Sequence, residues 1–146
     1  MTLHIRKLCV GVERLEELQQ FQARRLAQSP GGIWHQTRNW PRRQDEVLGA
    51  GGEEGGSLYW IIKGQMAARQ RILGFEAAPR DSPDEKPMCR IMLEPKIVPT
   101  EPWPHRPFQG WRYLTPGEAP PDLADVAKAT GLPADLAAEL KARGLW

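Results

Sequence analysis

Residues 57–77 read SLYWIIKGQMAARQRILGFEA, and they hold the strongest structural signal in the chain. Residues 57–64 are nearly all apolar and rich in β-branched and aromatic side chains, which is typical of a central strand buried on both sides. Residues 65–77 are compatible with a strand or with a helix, but the pattern of residues 71–76 favours a strand, in which Gly74 suits a bulge. We therefore predict a β-hairpin, with Trp60 in the core.

On the N-terminal side of the hairpin, the pattern predicts a strand and two helices. Apolar residues bracket polar ones over residues 3–10, which indicates a short strand. Over residues 13–27 apolar residues recur at helical spacing, with glutamates in the first turn and arginines in the last, which favours a helix. The Trp-Pro pair at 40–41 ends any longer helix and suits the start of a short one over 42–48. The glycine-rich residues 49–56 are expected to form a flexible loop.

On the C-terminal side, two strands, an extended segment and a helical tail are expected. Residues 99–107 hold four prolines in nine positions, which excludes a helix or a central strand and predicts an extended, polyproline-like segment on the surface. In chain order we predict a strand over 88–98 interrupted at Pro95, the extended segment, a strand over 108–114, and two short helices in 115–146 capped by Asp122 and Asp135.

This order of elements lacks the regular strand–helix alternation of a doubly wound parallel sheet. It predicts an α+β fold: a small, mostly antiparallel β-barrel or curved sheet, with helices at its rim and a short helical C-terminal tail. A chain of 146 residues has the size of one ordinary domain. Within it we assign residues 1–114 to the α+β barrel domain and residues 115–146 to a helical extension packed on it.

Composition and motifs limit the functions that the chain can have. No apolar run approaches 18 residues and the N-terminus lacks a signal-peptide pattern, so we expect a soluble, cytoplasmic protein with no membrane partner. The catalytic patterns GxSxG, HExxH, GxGxxG and the P-loop do not occur, and the three histidines lie far apart, so we expect neither a metal nor a cofactor. Cys9 and Cys89 lack metal or redox spacing and are expected to be reduced, buried thiols.

The positive charge is unevenly spread and consists mainly of arginine. The formal net charge is +2, with a net +4 in residues 1–112 and a net −2 in residues 113–146. Arginine supplies 14 of the 20 cations. Guanidinium groups suit planar recognition of phosphates and bases, although a GC-rich genome that favours arginine codons is an equal explanation.

Residues 34–43, WHQTRNWPRR, alternate aromatic rings with arginines and amides, and residues 106–112 form a similar group. Bases splayed from a single strand stack on aromatic faces at about 1–3 kcal/mol each, while arginines contact phosphates. The alternative is that the tryptophans are core anchors and the arginines are solvated. The candidate binding residues are Trp34 and Trp111 as stacking faces, Arg38, Arg42, Arg71 and Arg112 as phosphate contacts, His35, Asn39 and Gln109 as readers of a base edge, and Trp40 and Lys63 beside them.

The motifs LCVGV, WHxTRxWPxR, SLYWIIKG, RQRIL and RPFQGWRYL together resemble an uncharacterised family of small bacterial proteins over nearly the whole chain. That resemblance brings no assigned biochemical function with it.

The order of elements is also similar to that of PUA-like domains, in particular their EVE branch. The matching residues are Trp34, Arg38 and Asn39, then Leu58, Tyr59 and Trp60, then Ile72, Leu73 and Gly74. The chain departs from that branch where Gly56-Ser57 replaces a Gly-Asp pair and where Leu8, Cys9 and Val10 replace an aromatic-rich strand. The resemblance implies a small barrel that holds a flipped, often modified base in an aromatic pocket.

The favoured hypothesis is a non-enzymatic nucleic-acid-binding module that takes RNA, or DNA, as a single strand or a flipped base. Its aromatic pocket is expected to be rimmed by arginines, and the protein is expected to be a monomer or a weak dimer. Two alternatives stay open. One is a small hydrolase-like enzyme that uses Cys9 with His35, or a Glu–Arg pair. The other is an adaptor that binds a protein partner through the segment PTEPWPHRP or the acidic helical tail.

Overall fold

The computed structural model describes residues 2–28, 32–49 and 54–130, and their fold is α+β. The elements are β1 (His4–Leu8), α1 (Leu15–Gln28), β2 (Ile33–Thr37), α2 (Gln44–Val47), β3 (Ser57–Ile62), β4 (Gln65–Ala77), β5 (Cys89–Leu93), β6 (Val98–Pro104), β7 (Trp111–Leu114), a 3₁₀ helix (Pro116–Glu118) and α3 (Leu123–Thr130). The predicted first helix, the short second helix and the first tail helix are confirmed. Half of the predicted glycine-rich loop, residues 50–53, and the second tail helix with Asp135 lie outside the described residues.

The predicted hairpin is confirmed and is closed by the two residues Lys63 and Gly64. Both have positive φ, 50° and 78°, which is the conformation of a tight turn matched to the twist of a β-hairpin. Glycine adopts this backbone without strain, and the lysine side chain is left exposed.

The strands of the described chain form one open sheet built around β4. The order is β2-β5-β4-β3-β1-β7, and β6 also pairs with β4. Only the β1–β3 pair is parallel in this part of the chain. Because β2 and β7 lie at the two ends of the path without pairing with each other, the barrel that the sequence suggested as one option is not closed.

β5 and β6 follow one edge of β4 in succession. β5 pairs with the C-terminal half of β4 and β6 with its N-terminal half, and the break between them contains Pro95, as predicted. The proline-rich segment is therefore an edge strand rather than a free polyproline-like stretch. Proline is tolerated there because an edge strand leaves some of its N–H positions unpaired.

The strand β2 was not predicted, and the predicted order of elements is wrong at this point. Its ends, Ile33 and Thr37, are buried, but Gln36 is exposed and the residues between do not alternate cleanly. Within the described residues β2 pairs with β5 alone, through the register Ile33↔Leu93 to Thr37↔Cys89. This strand therefore depends on a partner that is distant in sequence, which a local pattern does not reveal.

The sheet has two differently covered faces. The helix-side face carries Ile5, Leu58 and Trp60, which pack with Leu18 of α1 in the larger core cluster. The opposite face carries a smaller cluster of Tyr59, Ile61, Met66 and Leu114, against which Trp103 and Phe108 pack. Every residue of β3 is buried because its alternate side chains pack into the two clusters on opposite faces of the sheet.

The described part of the C-terminal segment is held to the sheet by polar contacts. Nε and Nη2 of Arg69 donate to the two carboxylate oxygens of Asp122, each at 2.7 Å, and the backbone N–H of Glu101 donates to Pro121. The division at residue 114 stays a prediction. Among the described residues, no helix combines the length and the apolar character that crossing a bilayer requires.

Candidate functional site

A cavity of about 370 Å³ lies on the helix-side face, between α1, the end of β1 and β2. Its walls come from α1 (Leu18, Phe21, Gln22, Arg25), from residues 7–12, and from Ile33, Trp34, His35, Trp60 and Leu93. These lining residues include two tryptophans, a phenylalanine and two cations, but no carboxylate. Binding pockets commonly have this composition, with apolar walls and a few polar groups that fix the orientation of the ligand.

The floor of the cavity is fixed by a hydrogen-bonded amide pair. The side chains of Gln22 and Gln70 donate to each other at 2.8 and 2.7 Å. Trp60 donates its indole N–H to Gln70 at 2.8 Å, and Gln70 also donates to the backbone carbonyl of Glu94. Because these buried polar groups are satisfied within the fold, the floor is rigid and presents apolar and aromatic surface.

His35 stands against this floor as a neutral imidazole. Its ring lies edge-on to Trp60, with the centroids 5.2 Å apart. Burial, helped by the charges of Lys7 and Arg25, lowers the pKa of His35 to about 4. At neutral pH the ring therefore offers one N–H donor and one nitrogen acceptor.

Lys7 and Arg25 bring positive charge to the cavity. Burial lowers the pKa of Lys7, and the Cζ atom of Arg25 lies 4.7 Å from the ring centroid of Trp34. Within the described parts of the chain, no carboxylate lies within 4.0 Å of either cation. Two cations without an acidic partner beside aromatic walls favour an anionic ligand with an apolar or aromatic body.

Trp34 lines the cavity, but arginines already lie over its ring. Besides Arg25, the Cζ atom of Arg90 lies 4.5 Å from the same centroid. Cation–π contacts of this kind hold a guanidinium in place. A base that stacks on Trp34 has to displace one of these arginines, so the ring is better suited to orienting Arg25 toward the cavity.

The structure brings some of the predicted site residues to this face and others elsewhere. Trp34 and His35 line the cavity, and Trp111 lies further along the same face, packed against the core cluster and donating its indole N–H to the carbonyl of Asn39 at 2.9 Å. Trp40 is half-buried against the same cluster and donates to the carbonyl of Pro87.

The remaining predicted residues do not line the cavity. Arg38, Arg42 and Gln109 are exposed, and Lys63 lies in the hairpin turn. Arg71 forms an ion pair with Glu54 at 3.2 Å, and the Cζ atom of Arg112 lies 4.8 Å from the ring centroid of Phe108. The phosphate contacts predicted for Arg71 and Arg112 are thus separate from the aromatic cavity.

A family model covers both the cavity and the sheet that carries it. The family is described as "Protein of unknown function (DUF1489)", and its model matches residues 5–146. The chain belongs to this family. The predicted membership in an uncharacterised family is confirmed. Comparisons with curated proteins and with solved structures found no match.

Sequence reasoning missed Lys7 and Arg25, the two cations of the cavity in this DUF1489 chain. A usable signal was present in both cases. Lys7 follows Ile5 at a spacing of two in β1, and Arg25 follows Leu18 and Gln22 at helical spacing in α1. A cation at a position whose spacing predicts an inward-facing side chain indicates either a buried ion pair or a ligand site.

Cys9 also borders the cavity, which brings it to the same site as His35. Burial raises the pKa of Cys9 to about 11, while the pKa of His35 is about 4. An activated thiolate–imidazolium pair needs shifts in the opposite directions. Among the described residues, no three His, Cys, Asp or Glu side chains are grouped so that they could hold a metal ion.

Proposed function

We propose that this protein is a nucleic-acid-binding module that takes one nucleotide of RNA or DNA into the cavity on the helix-side face. The base lies among Phe21, His35 and Trp60, and its phosphate lies near Lys7 and Arg25. As part of the same proposal, the open sheet is PUA-like, the base is flipped or unpaired, and the protein works in the bacterial cytoplasm. The binding is not coupled to a reaction.

The observation that carries this proposal is an aromatic cavity whose lining, in the described part of the chain, includes two cations and no acid. A volume of about 370 Å³ lies within the ordinary range for small-ligand pockets, roughly 300–1,000 Å³. Aromatic rings bind any base through its π-face, and unpaired cations attract the phosphate. The neutral ring of His35 adds a donor and an acceptor that read a base edge.

The version of the enzyme alternative that uses Cys9 with His35 is less well supported, because burial raises the pKa of Cys9 to about 11 and lowers that of His35 to about 4; the Glu–Arg version stays open. In the adaptor alternative, most of the segment PTEPWPHRP is not a free peptide, since β6 pairs with β4, while the version that uses the acidic helical tail stays open. Rapid alkylation of Cys9 at neutral pH would revive the first alternative.

Binding of single-stranded RNA and DNA pools at low salt, measured by fluorescence anisotropy, tests the proposal. We expect binding that weakens as salt rises, because bound phosphates displace counterions. Replacing both cations, Lys7→Gln with Arg25→Gln, is expected to reduce affinity by about tenfold or more, the typical effect of losing a charge-assisted hydrogen bond.

A matched control removes two exposed cations far along the sequence, Arg80→Gln with Lys86→Gln, and should leave affinity nearly unchanged. The variant Arg38→Ala with Arg42→Ala tests the residues predicted from sequence. If no pool binds at low salt, the proposed function is wrong. Equal losses in the cavity variant and in the matched control would show that binding depends on net charge and not on the cavity.

A further inference from the structure

Three aromatic and basic residues form a row across neighbouring strands on the helix-side face. Lys7 of β1 lies opposite Trp60 of β3 in the parallel pair and opposite Trp111 of β7 in the antiparallel pair. Directly opposed residues point to the same face of a sheet, and neighbouring strands are about 4.8 Å apart. The wall of the cavity at Trp60 therefore continues through Lys7 to the ring of Trp111.

Trp111 is held in one orientation by its neighbours. Its indole N–H donates to the carbonyl of Asn39 at 2.9 Å, and its ring meets Tyr113 edge-on with centroids 4.9 Å apart. The polar edge of the indole is thus already paired, and the half-buried ring is fixed before any ligand arrives. A fixed aromatic surface loses little entropy on binding, which favours stacking.

Exposed positive charge lies in the chain segment that holds this ring. Arg38 precedes Asn39 directly and Arg42 follows three residues later, and both side chains are exposed. Lys7 lies opposite Trp111 in the sheet, and Arg38 and Arg42 belong to the segment whose Asn39 carbonyl accepts from its indole, so exposed or half-buried cations are available near the ring for a phosphate backbone. A free nucleotide fills only the cavity and leaves Trp111 and these arginines without a role.

We propose that the ligand is a strand of at least two nucleotides, with one base in the cavity and the neighbouring base stacked on Trp111. Lys7 then contacts the phosphate that joins the two nucleotides, and Arg38 and Arg42 contact the phosphates that follow. This inference rests on the proposed function, because it assigns a second subsite to the same ligand. The second subsite distinguishes a nucleic-acid strand from a free nucleotide as the ligand that supplies the base and the phosphate.

Calorimetric titration of the full chain with ligands of increasing length tests the second subsite. The ligands are a nucleoside 5′-monophosphate, the dinucleotide and the tetranucleotide, each as RNA and as DNA, for all four bases. We expect the dinucleotide to bind roughly 5- to 150-fold more tightly than the monophosphate, the gain typical of one stacked base. Trp111→Leu should abolish that gain, so that the variant binds the dinucleotide no more tightly than it binds the monophosphate.

Two further variants separate stacking from other effects of the substitution. Trp111→Phe keeps a flat ring but loses the hydrogen bond to Asn39, and it should retain most of the gain. Trp103→Leu removes a half-buried tryptophan that packs on the opposite face, and it should retain the whole gain. If Trp111→Leu does not fold, an NMR titration of the wild-type chain tests whether a base stacks on Trp111, through the resonance of the Trp111 indole N–H. That resonance should shift with the dinucleotide and stay in place with the monophosphate.

The outcomes separate this inference from the proposed function. Monophosphate binding with no gain from length overturns the second subsite and leaves the cavity proposal standing. A gain that survives Trp111→Leu also overturns it, because the neighbouring base then lies elsewhere. Absence of binding by every ligand overturns the proposed function and this inference together.

Discussion

Gln70 is fully buried, and its amide joins α1, β3 and the segment after β5. It accepts from the indole of Trp60, exchanges two hydrogen bonds with Gln22 and donates to the carbonyl of Glu94. Gln70 occupies one of the alternate buried positions of β4, and the other three hold Met66, Ala68 and Ile72. Nothing in the local sequence identifies the residues to which its amide bonds. A buried amide of this kind is stable only when its neighbours complete its hydrogen bonds.

We expect Gln70→Leu to lower the free energy of unfolding by about 2–4 kcal/mol, because Trp60 and Gln22 then keep buried donors without acceptors. Urea unfolding followed by circular dichroism measures the change. Gln20→Leu, on the exposed side of α1, is the matched control and should stay within about 0.5 kcal/mol of the wild type. Adding Gln22→Leu to Gln70→Leu should recover part of the loss. A Gln70→Leu chain as stable as the control would show that the network contributes nothing.

At the scale of elements, the contact between β4 and the start of α3 is the clearest case of two distant segments joined by charge. Arg69 and Asp122 are both partly buried, with side chains 27% and 21% exposed, and their geometry is bidentate. The sequence predicted Asp122 as a helix cap; in the structure Asp122 directly precedes α3, and both oxygens of its carboxylate accept from Arg69, which holds the C-terminal segment against the sheet. Arg69 donates in addition to the hydroxyl of Ser57, which fixes the guanidinium plane.

A double-mutant cycle with Arg69→Met and Asp122→Ala should give a coupling energy of about 1–3 kcal/mol, since a partly buried bidentate pair is screened less than a surface pair. The cycle is measured by urea unfolding. The exposed pair Arg43–Glu46 provides a control cycle, in which the coupling should be much smaller. Equal coupling in the two cycles would contradict the assigned role of Arg69 and Asp122 in holding the segment.

The elements that sequence predicted well are those whose stability comes from local pattern. The helix α1 carries its own charge asymmetry and apolar spacing, and the hairpin carries its turn at Lys63-Gly64. The strand β2 escaped prediction because it exists through pairing with β5, more than fifty residues away in the chain. The proline-rich β6 was assigned an extended backbone correctly, but its partner β4 was not foreseen.

The candidate site shows the same division between local and tertiary information. The aromatic–arginine alternation pointed to Trp34 and His35, which do line the cavity. It also pointed to Arg71 and Arg112, which the fold directs to Glu54 and to Phe108. Spacing along the chain indicates that Lys7 and Arg25 each point inward, but that the two cations share one cavity depends on strand register and on the packing of α1, which spacing does not give.

At the scale of the whole molecule, the two faces of the sheet differ in what they offer a ligand. The helix-side face carries the cavity with Lys7 and Arg25 and the row that leads to Trp111. On the opposite face near the C-terminal segment, Arg69 is paired with Asp122, and Arg6 lies 3.7 Å from Glu118 while its buried Nε has no hydrogen-bond partner among the described residues. A formal net charge of only +2 gives little general attraction for nucleic acid, so any specific binding depends on this local arrangement.

Each of the two faces also half-buries a histidine, and both histidines contribute to the dependence of the molecule's stability on pH. Burial and nearby cations lower the pKa of His35 to about 4 on the helix-side face. On the opposite face, burial and then the charge of Arg69 lower the pKa of His4, whose Nδ1 accepts from the backbone N–H of Ser57. Between pH 6.5 and about 4 the unfolded chain therefore binds more protons than the folded one, and stability falls as pH falls.

We expect the free energy of unfolding to drop between pH 7 and pH 5, with His35 contributing about 1–2 kcal/mol of that loss after allowance for its partial exposure. Urea unfolding at half-unit pH intervals measures it. His35→Gln should remove its share of the slope, and His4→Asn, which keeps an acceptor for Ser57, should remove a further share. The double variant should be nearly flat above pH 5, where ordinary carboxyl groups remain ionised. If the double variant keeps the wild-type slope, the acid sensitivity of the fold comes from groups other than these two histidines.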